Sequence, residues 1–207
     1  SAENLPKGSG THEDPYRITT PDELKYMFVE NHQVYKLMND IDLSNEGIIM
    51  AQENGHFLED KNINKIYTSD LKRCKKTAQI ISEKLQIPYY IEKELREINM
   101  GIWENKSFQY IKAKYAKDYE NRGKYIDTFK VEGGETFEQC YKRSVNILNE
   151  LCNKNKNKNI VLVCHSGIIK CLICYIKQTP LKDIMTIKLN YGQITSINYE
   201  NEKYTIY

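Results

Sequence analysis

Ile160-Val-Leu-Val-Cys-His-Ser-Gly-Ile-Ile169 is the stretch on which the fold turns. An aliphatic, β-branched run ends on a histidine, and a small-residue turn then opens a new apolar pattern. A short continuous apolar run of this kind reads as a buried strand of a parallel sheet. His165 then stands at the carboxyl end of that strand, where open α/β sheets bind their ligands. The backbone N–H groups of Ser166 and Gly167 would open the next helix and face an anion. An earlier segment, Ile66-Tyr-Thr-Ser-Asp-Leu-Lys-Arg-Cys-Lys-Lys-Thr-Ala78, repeats the layout: a short strand, a polar turn, and a helix with Arg73 in its first turns. A guanidinium and a protonatable imidazole on two such turns make two walls of a phosphate pocket.

Working outward, Thr20-Pro-Asp-Glu23 predicts a helix start, with Thr as N-cap, Pro at the first position and Glu closing a capping box. A short helix to about Val29 follows, then an extended stretch at Val34–Met38. Residues 1–14 read as a loose acidic arm. Ser44 predicts the next helix, with Ile48, Ala51, Gly55 and Leu58 on one face. Strands are expected at Ile63–Thr68 and Pro88–Ile91. The helix between them carries Leu71, Cys74, Ala78, Ile81 and Leu85 as its apolar stripe. One helix is expected through Phe108, Ile111, Tyr115 and Tyr119, and a long one from Phe137 to Leu151. The Asn/Lys run 153–159 reads as a solvated loop. Strands are expected at Thr186–Leu189, Ile194–Tyr199 and Lys203–Tyr207, the last two as a hairpin turning at Asn201-Glu202. Strands alternating with helices predict an α/β fold, a three-layer α/β/α sandwich with a mixed, mostly parallel sheet.

The chain of 207 residues is long enough to bury a full core. A net charge of +2 gives no reason to expect nucleic acid or a membrane surface as partner. Its distribution says more: residues 1–43 carry net −4 and residues 44–207 net +6, and all six cysteines fall after residue 43. The chain therefore divides at Leu43 into an N-terminal extension or replacement segment, 1–43, and a main domain, 44–207. The cysteines mostly sit at apolar positions, as reduced buried thiols do, which points to a cytoplasmic setting. Cys171 and Cys174 lie near Cys164 and His165, but Ile168–Ile176 reads as an apolar helix that packs them, so neither a metal nor a cofactor is expected. Ser1 in place of Met reads as a processed or cloned terminus, with no leader pattern behind it.

Two more segments bear on chemistry. Leu95-Arg-Glu-Ile-Asn-Met-Gly-Ile-Trp-Glu104 sets Glu97 beside an apolar stretch, a setting that raises a carboxyl pKa and suits a general acid. Val131-Glu-Gly-Gly-Glu-Thr-Phe137 is a Gly-Gly turn running into a helix, with Thr136 available as its cap.

In order, Leu43-Ser-Asn-Glu-Gly47, Tyr67-Thr-Ser-Asp-Leu-Lys-Arg73, Leu95-Arg-Glu97 with Gly101 and Trp103-Glu104, Gly133-Gly-Glu-Thr136 and Val163-Cys-His-Ser-Gly167 resemble the histidine phosphatase superfamily, the phosphoglycerate mutase-like family. The short separation of Glu97 from Gly133 resembles its compact phosphatase branch, that of α-ribazole phosphatase. The resemblance implies a phosphate-monoester phosphatase that needs no metal, acting on a small phosphorylated molecule or inorganic phosphate. It implies that Arg73 binds the phosphoryl oxygens and that Glu97 protonates the leaving alcohol. His165, helped by the Ser166 amide, would stabilise the phosphoryl group in transfer.

The chain departs from the family at one place. The family opens with a strand ending in Arg-His-Gly, whose histidine is the nucleophile, and this chain has no Arg-His-Gly. Instead, Gly10–Leu24 and Tyr35–Leu43 resemble a segment of clostridial-type surface proteins, so the chain reads as a fusion. His32 is the nearest stand-in, but Asn31 and Gln33 flank it where arginine and glycine belong, and it lies close to Leu43. His12 sits in the acidic arm and His56 reads as a surface residue. An impaired phosphatase is therefore expected, with a phosphate-binding pseudo-enzyme or a surface-protein fusion as the alternatives.

Overall fold

The computed structural model describes residues 16–18, 35–37, 43–190 and 192–206. The arm at 1–14, the helix expected from Thr20 to Val29, and His12 and His32 lie outside these residues. Within the N-terminal segment, β1 (Tyr16–Ile18) pairs in parallel with β2 (Tyr35–Leu37), the latter inside the extended stretch the sequence predicts.

The main body begins with α1 (Asn45–Leu58), where the Ser44 hydroxyl accepts from the Gly47 amide at 3.1 Å. β3 (Ile63–Thr68) and α2 (Lys72–Leu85) follow, and α2 stops where Gln86 turns left-handed with φ 55°. β4 (Tyr89–Ile91) leads into short 3₁₀ turns at Lys93–Leu95 and Gly101–Trp103. The single helix expected from Phe108 is two, α3 (Phe108–Lys114) and α4 (Ala116–Lys124), broken at Tyr115. The break lets Tyr115 and Tyr119 both pack against the cluster of Trp103, Ile111 and Val131.

α5 (Phe137–Lys154) opens on a complete capping box between Thr136 and Gln139. β5 (Asn159–Val163) and α6 (Ser166–Lys177) place the His165 turn. The strand expected at Thr186–Leu189 is absent: a 3₁₀ helix, Leu181–Thr186, ends on its first residue, and residues 187–189 form no strand. Bonds from Asp183 N to Pro180 O and from Ile187 N to Ile184 O hold that local turn, which buries Ile184 completely. β6 (Ile197–Glu200) and β7 (Lys203–Ile206) form the hairpin, with Asn201 and Glu202 both at positive φ as a tight type I′ turn requires.

β4, β3 and β5 form a parallel sheet in that order. Alternation along the strands sends residues to opposite faces. Ile66, Val161 and Val163 meet Leu58, Ala78 and Ile81 of α1 and α2. Tyr67, Ile160 and Leu162 meet the larger core formed with α5 and α6. This is the three-layer α/β arrangement that the alternating pattern predicts. The cysteines are free, and Cys74, Cys140, Cys171 and Cys174 are buried in it. No described helix is long and apolar enough to cross a membrane.

Two details depart from the sequence reading. Ile160–Val163 is only half-buried, where the sequence reading expects a buried strand. Asn155, expected in a solvated loop, is 3 % exposed and donates to the Tyr67 hydroxyl at 3.0 Å and to Leu151 O at 2.8 Å. Removing a partner from a buried polar pair costs about 1–3 kcal/mol. Asn155→Ala is therefore expected to lower the unfolding free energy from urea titration by about 1–3 kcal/mol, whereas a solvated loop residue would leave it unchanged.

Candidate active site

Two strand ends and one loop build the site. Thr68 and Val163 are paired neighbours at the carboxyl ends of β3 and β5. The chain leaves them as Ser69-Asp70-Leu71 and Cys164-His165, so the β3–α2 turn and the β5–α6 turn lie side by side. The Ser69 amide bonds Val163 O at 3.0 Å and fastens the two turns together. Arg73 then reaches the imidazole, with Nη2 3.1 Å from His165 Nδ1. Ninety-two positions separate the two residues in sequence.

The contacts of His165 settle its tautomer. A guanidinium only donates, so Nδ1 accepts from Arg73 and carries no proton. The proton is on Nε2, which donates to Ser69 Oγ at 2.9 Å. Cys74 Sγ packs 3.5 Å from the same nitrogen. The ring is 6 % exposed. Its pKa is lowered to about 3, first by burial, then by the charges of Arg73 and Arg143, with Asp70 opposing weakly. The protonatable imidazole expected from the sequence is therefore neutral here, because the ring is buried and two guanidinium charges lie near it.

Glu97 enters from the loop after β4. Its carboxylate accepts from the Ile98 amide at 3.0 Å and from the Gly167 amide, in the first turn of α6, at 3.3 Å. Gly167 leaves room for the carboxyl: a Cβ there would lie 2.3 Å from Glu97 Oε1, so the end of the Glu97 side chain would have to shift. Burial raises the Glu97 pKa, and the two amides, Arg73 and Arg143 pull it back only in part. Of the neighbouring apolar stretch, Gly101 stands at φ 51° and Trp103 packs in the cluster with Ile111. Ser166, expected to hold an anion through its amide, begins α6 beside Glu97. Arg73, Cys74, Glu97, Cys164, His165 and Ser166 line one cavity of about 1270 Å³.

The raised Glu97 pKa has a measurable consequence. A carboxyl with a higher pKa folded than unfolded favours folding while protonated, below its unfolded value near 4.5, and loses that contribution as pH rises through the folded value. Glu97→Gln removes the charge cost, so its thermal midpoint relative to wild type is expected to climb from pH 5 to pH 8. A constant difference would mean that Glu97 titrates as an ordinary solvated carboxyl.

Several supporting residues had no role assigned from the sequence, although Asp70 and Glu135 lie in its motifs. Arg143, on α5, bonds Glu94 O at 2.6 Å and Glu97 O at 3.2 Å. Its guanidinium also grips Glu135 at 2.6 and 3.1 Å. Glu135 in turn accepts from the Asn99 amide at 2.9 Å and gives its own amide to Asn99 O. The Gly-Gly turn thus braces the Glu97 loop: a Cβ on Gly134 would sit 2.6 Å from Asn99 O. Asp70 forms a two-pronged pair with Arg96 at 2.5 and 2.6 Å, tying the β3–α2 turn to the same loop. Of the other histidines, His56 is exposed on α1 and pairs with Glu59.

The sequence pattern of the histidine phosphatase superfamily (branch 1) matches residues 28–207. The chain belongs to the histidine phosphatase superfamily. The match starts ahead of Leu43 and includes His32. This histidine phosphatase chain is 26 % identical over 155 residues to 6-phosphofructo-2-kinase/fructose-2,6-bisphosphatase 3 of Rattus norvegicus, covering 74 % of this chain and 27 % of the relative. It is 29 % identical over 157 residues to the corresponding Bos taurus protein, covering 74 % and 32 %. The chain thus spans no more than about a third of these curated relatives. Its fold is shared with the α-ribazole phosphatase from Shigella flexneri, at TM-score 0.72 and 23 % identity, covering 79 % of this chain and 81 % of that one. A phosphoserine phosphatase mutant from Entamoeba histolytica in complex with phosphoserine gives TM-score 0.74 and 23 % identity, covering 92 % and 91 %.

Proposed function

We propose that this chain binds phosphate monoesters at the Arg73–His165 site and is a phosphatase with impaired turnover. The observation that carries the reading is the 3.1 Å approach of Arg73 to His165, with the Glu97 carboxyl held at the first turn of the adjoining helix. Arg73 supplies a two-pronged donor for phosphoryl oxygens. The Ser166 amide adds the helix N-terminus, and Glu97, kept neutral more readily by burial, supplies a proton to a leaving alcohol. Bisphosphatase and phosphatase activities in the names of its relatives and structural neighbours agree with this class of ligand. The sequence has no Arg-His-Gly, and His32, inside the family match, is a candidate for the attacking group.

The second reading, a binding module without turnover, is favoured by the missing Arg-His-Gly. In either reading residues 1–43 form a segment distinct in composition from 44–207, with the surface-protein likeness as its origin. The free thiols suit a reducing compartment.

The test is vanadate or inorganic phosphate binding by calorimetry. A hydrogen bond to a charged group contributes about 1.5–3 kcal/mol, so Arg73→Ala is expected to weaken binding roughly tenfold to a hundredfold. Equal binding by wild type and Arg73→Ala would remove this site as the phosphate pocket.

A further inference from the structure

Arg143 lies close to the site yet turns away from it. Among the described residues it does not line the cavity that holds Arg73, Glu97 and His165. Its Nη1 donates to Glu94 O at 2.6 Å and its Nη2 to Glu97 O at 3.2 Å, so two bonds go to the backbone of the loop that carries the acid. Nε and Nη2 also hold Glu135, whose carboxylate accepts from the Asn99 amide at 2.9 Å. Residues 94, 97 and 99 are thereby tied to α5 and to the turn before it, on both sides of the acid. The Arg143 and Glu135 side chains are only 19 % and 17 % exposed. That sets the pair apart from a solvent-screened surface bridge, which contributes little.

Arg143 can act on Glu97 in two opposite ways. As a cation it favours the carboxylate and lowers its pKa. As a brace it keeps the carboxyl in its buried place, which raises the pKa. The groups that face Glu97 rank these effects. Burial comes first and raises the pKa. The amides of Ile98 and of Gly167 in α6 lower it, followed by the charge of Arg73 from α2 and, last, that of Arg143 from α5. The thiols of Cys164, at the end of β5, and Cys171, on α6, also lie within range of the carboxyl. Burial outranks the charge of Arg143, so loosening the loop should outweigh removal of that charge.

We propose that Arg143 and Glu135 are positioning residues for the acid: they hold the backbone around Glu97 so that its carboxyl stays buried and keeps a proton for a leaving alcohol. The inference rests on the proposed role of Glu97 and gives the Gly-Gly turn before α5 a part in it, as the anchor of Arg143.

The test is the titration of Glu97 in the full chain, followed in ¹³C spectra of labelled glutamate, with Glu97→Gln identifying the signal. Arg143→Gln is expected to lower the Glu97 midpoint toward that of an ordinary carboxyl, although the loss of a nearby cation would by itself raise it. Arg143→Lys keeps the charge and loses the fork, so it should lower the midpoint too, by less. Glu135→Gln should also lower it, because Arg143 then loses its anchor. Imidazole ¹⁵N spectra are expected to show His165 as the Nε2–H tautomer in all of these variants, which separates a local loosening from general unfolding.

A midpoint that rises in Arg143→Gln, or stays unchanged in Arg143→Lys, would mean that Arg143 acts by charge alone and would overturn the inference. Glu135→Gln without effect would remove the turn from it. If Arg143→Gln does not fold, Arg143→Lys and Glu135→Gln still decide the matter. The titration needs no ligand, so it can fail while the Arg73 phosphate site stands. Equal vanadate binding by wild type and Arg73→Ala can likewise remove that site while the Glu97 midpoint still moves.

Discussion

Purified chain is expected to hydrolyse p-nitrophenyl phosphate on the order of 10⁴–10⁶-fold more slowly than a family enzyme with its nucleophile in place, the usual cost of removing one member of a concerted catalytic set. The geometry of His165 supports the low figure. Its one lone pair, on Nδ1, is directed at Arg73, and Nε2–H is directed at Ser69. A nitrogen that receives a guanidinium hydrogen bond is a poor nucleophile. If the guanidinium moves to the phosphoryl group, the imidazole stands on the binding side and not in line with the leaving group. Water activated by Glu97 is left as an attacking group, without the proximity that a covalent nucleophile enjoys. The measurement compares wild type with His32→Ala and His165→Ala. Equal trace rates in all three agree with impairment. Turnover of several per second, lost in His32→Ala, would show that His32 attacks and that impairment is the wrong reading.

Gly167→Ala is expected to disrupt the acid without touching the guanidinium. The new Cβ would lie 2.3 Å from Glu97 Oε1 and 3.2 Å from its Cδ. The backbone is held on both sides, so the end of the Glu97 side chain is what gives. Arg143 and Glu135 hold the Glu97 loop, and α6 is anchored by Ile168, Cys171 and Leu172 in the core. Overpacking of this kind costs about 1–3 kcal/mol, read as a lowered urea midpoint. The carboxyl should swing out and lose its bond to the Gly167 amide. Since burial is the main cause of its raised pKa, ¹³C spectra of labelled glutamate should show Glu97 titrating closer to an ordinary carboxyl. Gly123→Ala is the matched control, with nothing within 4 Å of its Cβ and a place in exposed helix. It is expected to stabilise by up to about 1 kcal/mol. A Gly167→Ala chain as stable as wild type, with Glu97 titration unchanged, would mean that the loop gives way and that the glycine is not what seats the acid.

Local chemistry made much of this protein legible in one dimension. The apolar run before His165, the Ser44 and Thr136 caps, the stripe from Cys74 to Ile81 and the Asn201-Glu202 turn each act through neighbours a few positions away, and strand, helix and hairpin follow from them. Arg73, Glu97 and His165 were visible because strand-end turns carry an order along the chain. Where the sequence reading failed, long-range packing had overridden a local pattern. Tyr115 breaks a helix to reach Trp103, a 3₁₀ turn that buries Ile184 ends on the first residue of the strand expected from Thr186, and Asn155 leaves solvent to bond Tyr67.

The protonation of the site was decided at that longer range. Nothing in the order of residues says that Arg73 donates into His165 across 92 positions. Nor does it say that Arg143 fastens the Glu97 loop from another helix, or that Gly167 leaves room for one carboxyl oxygen. The sequence by itself determined which side chains come to the carboxyl end of the sheet. Only the tertiary structure decided which of them are charged there, because a pKa depends on burial and on the groups within a few ångströms, whichever part of the chain supplies them.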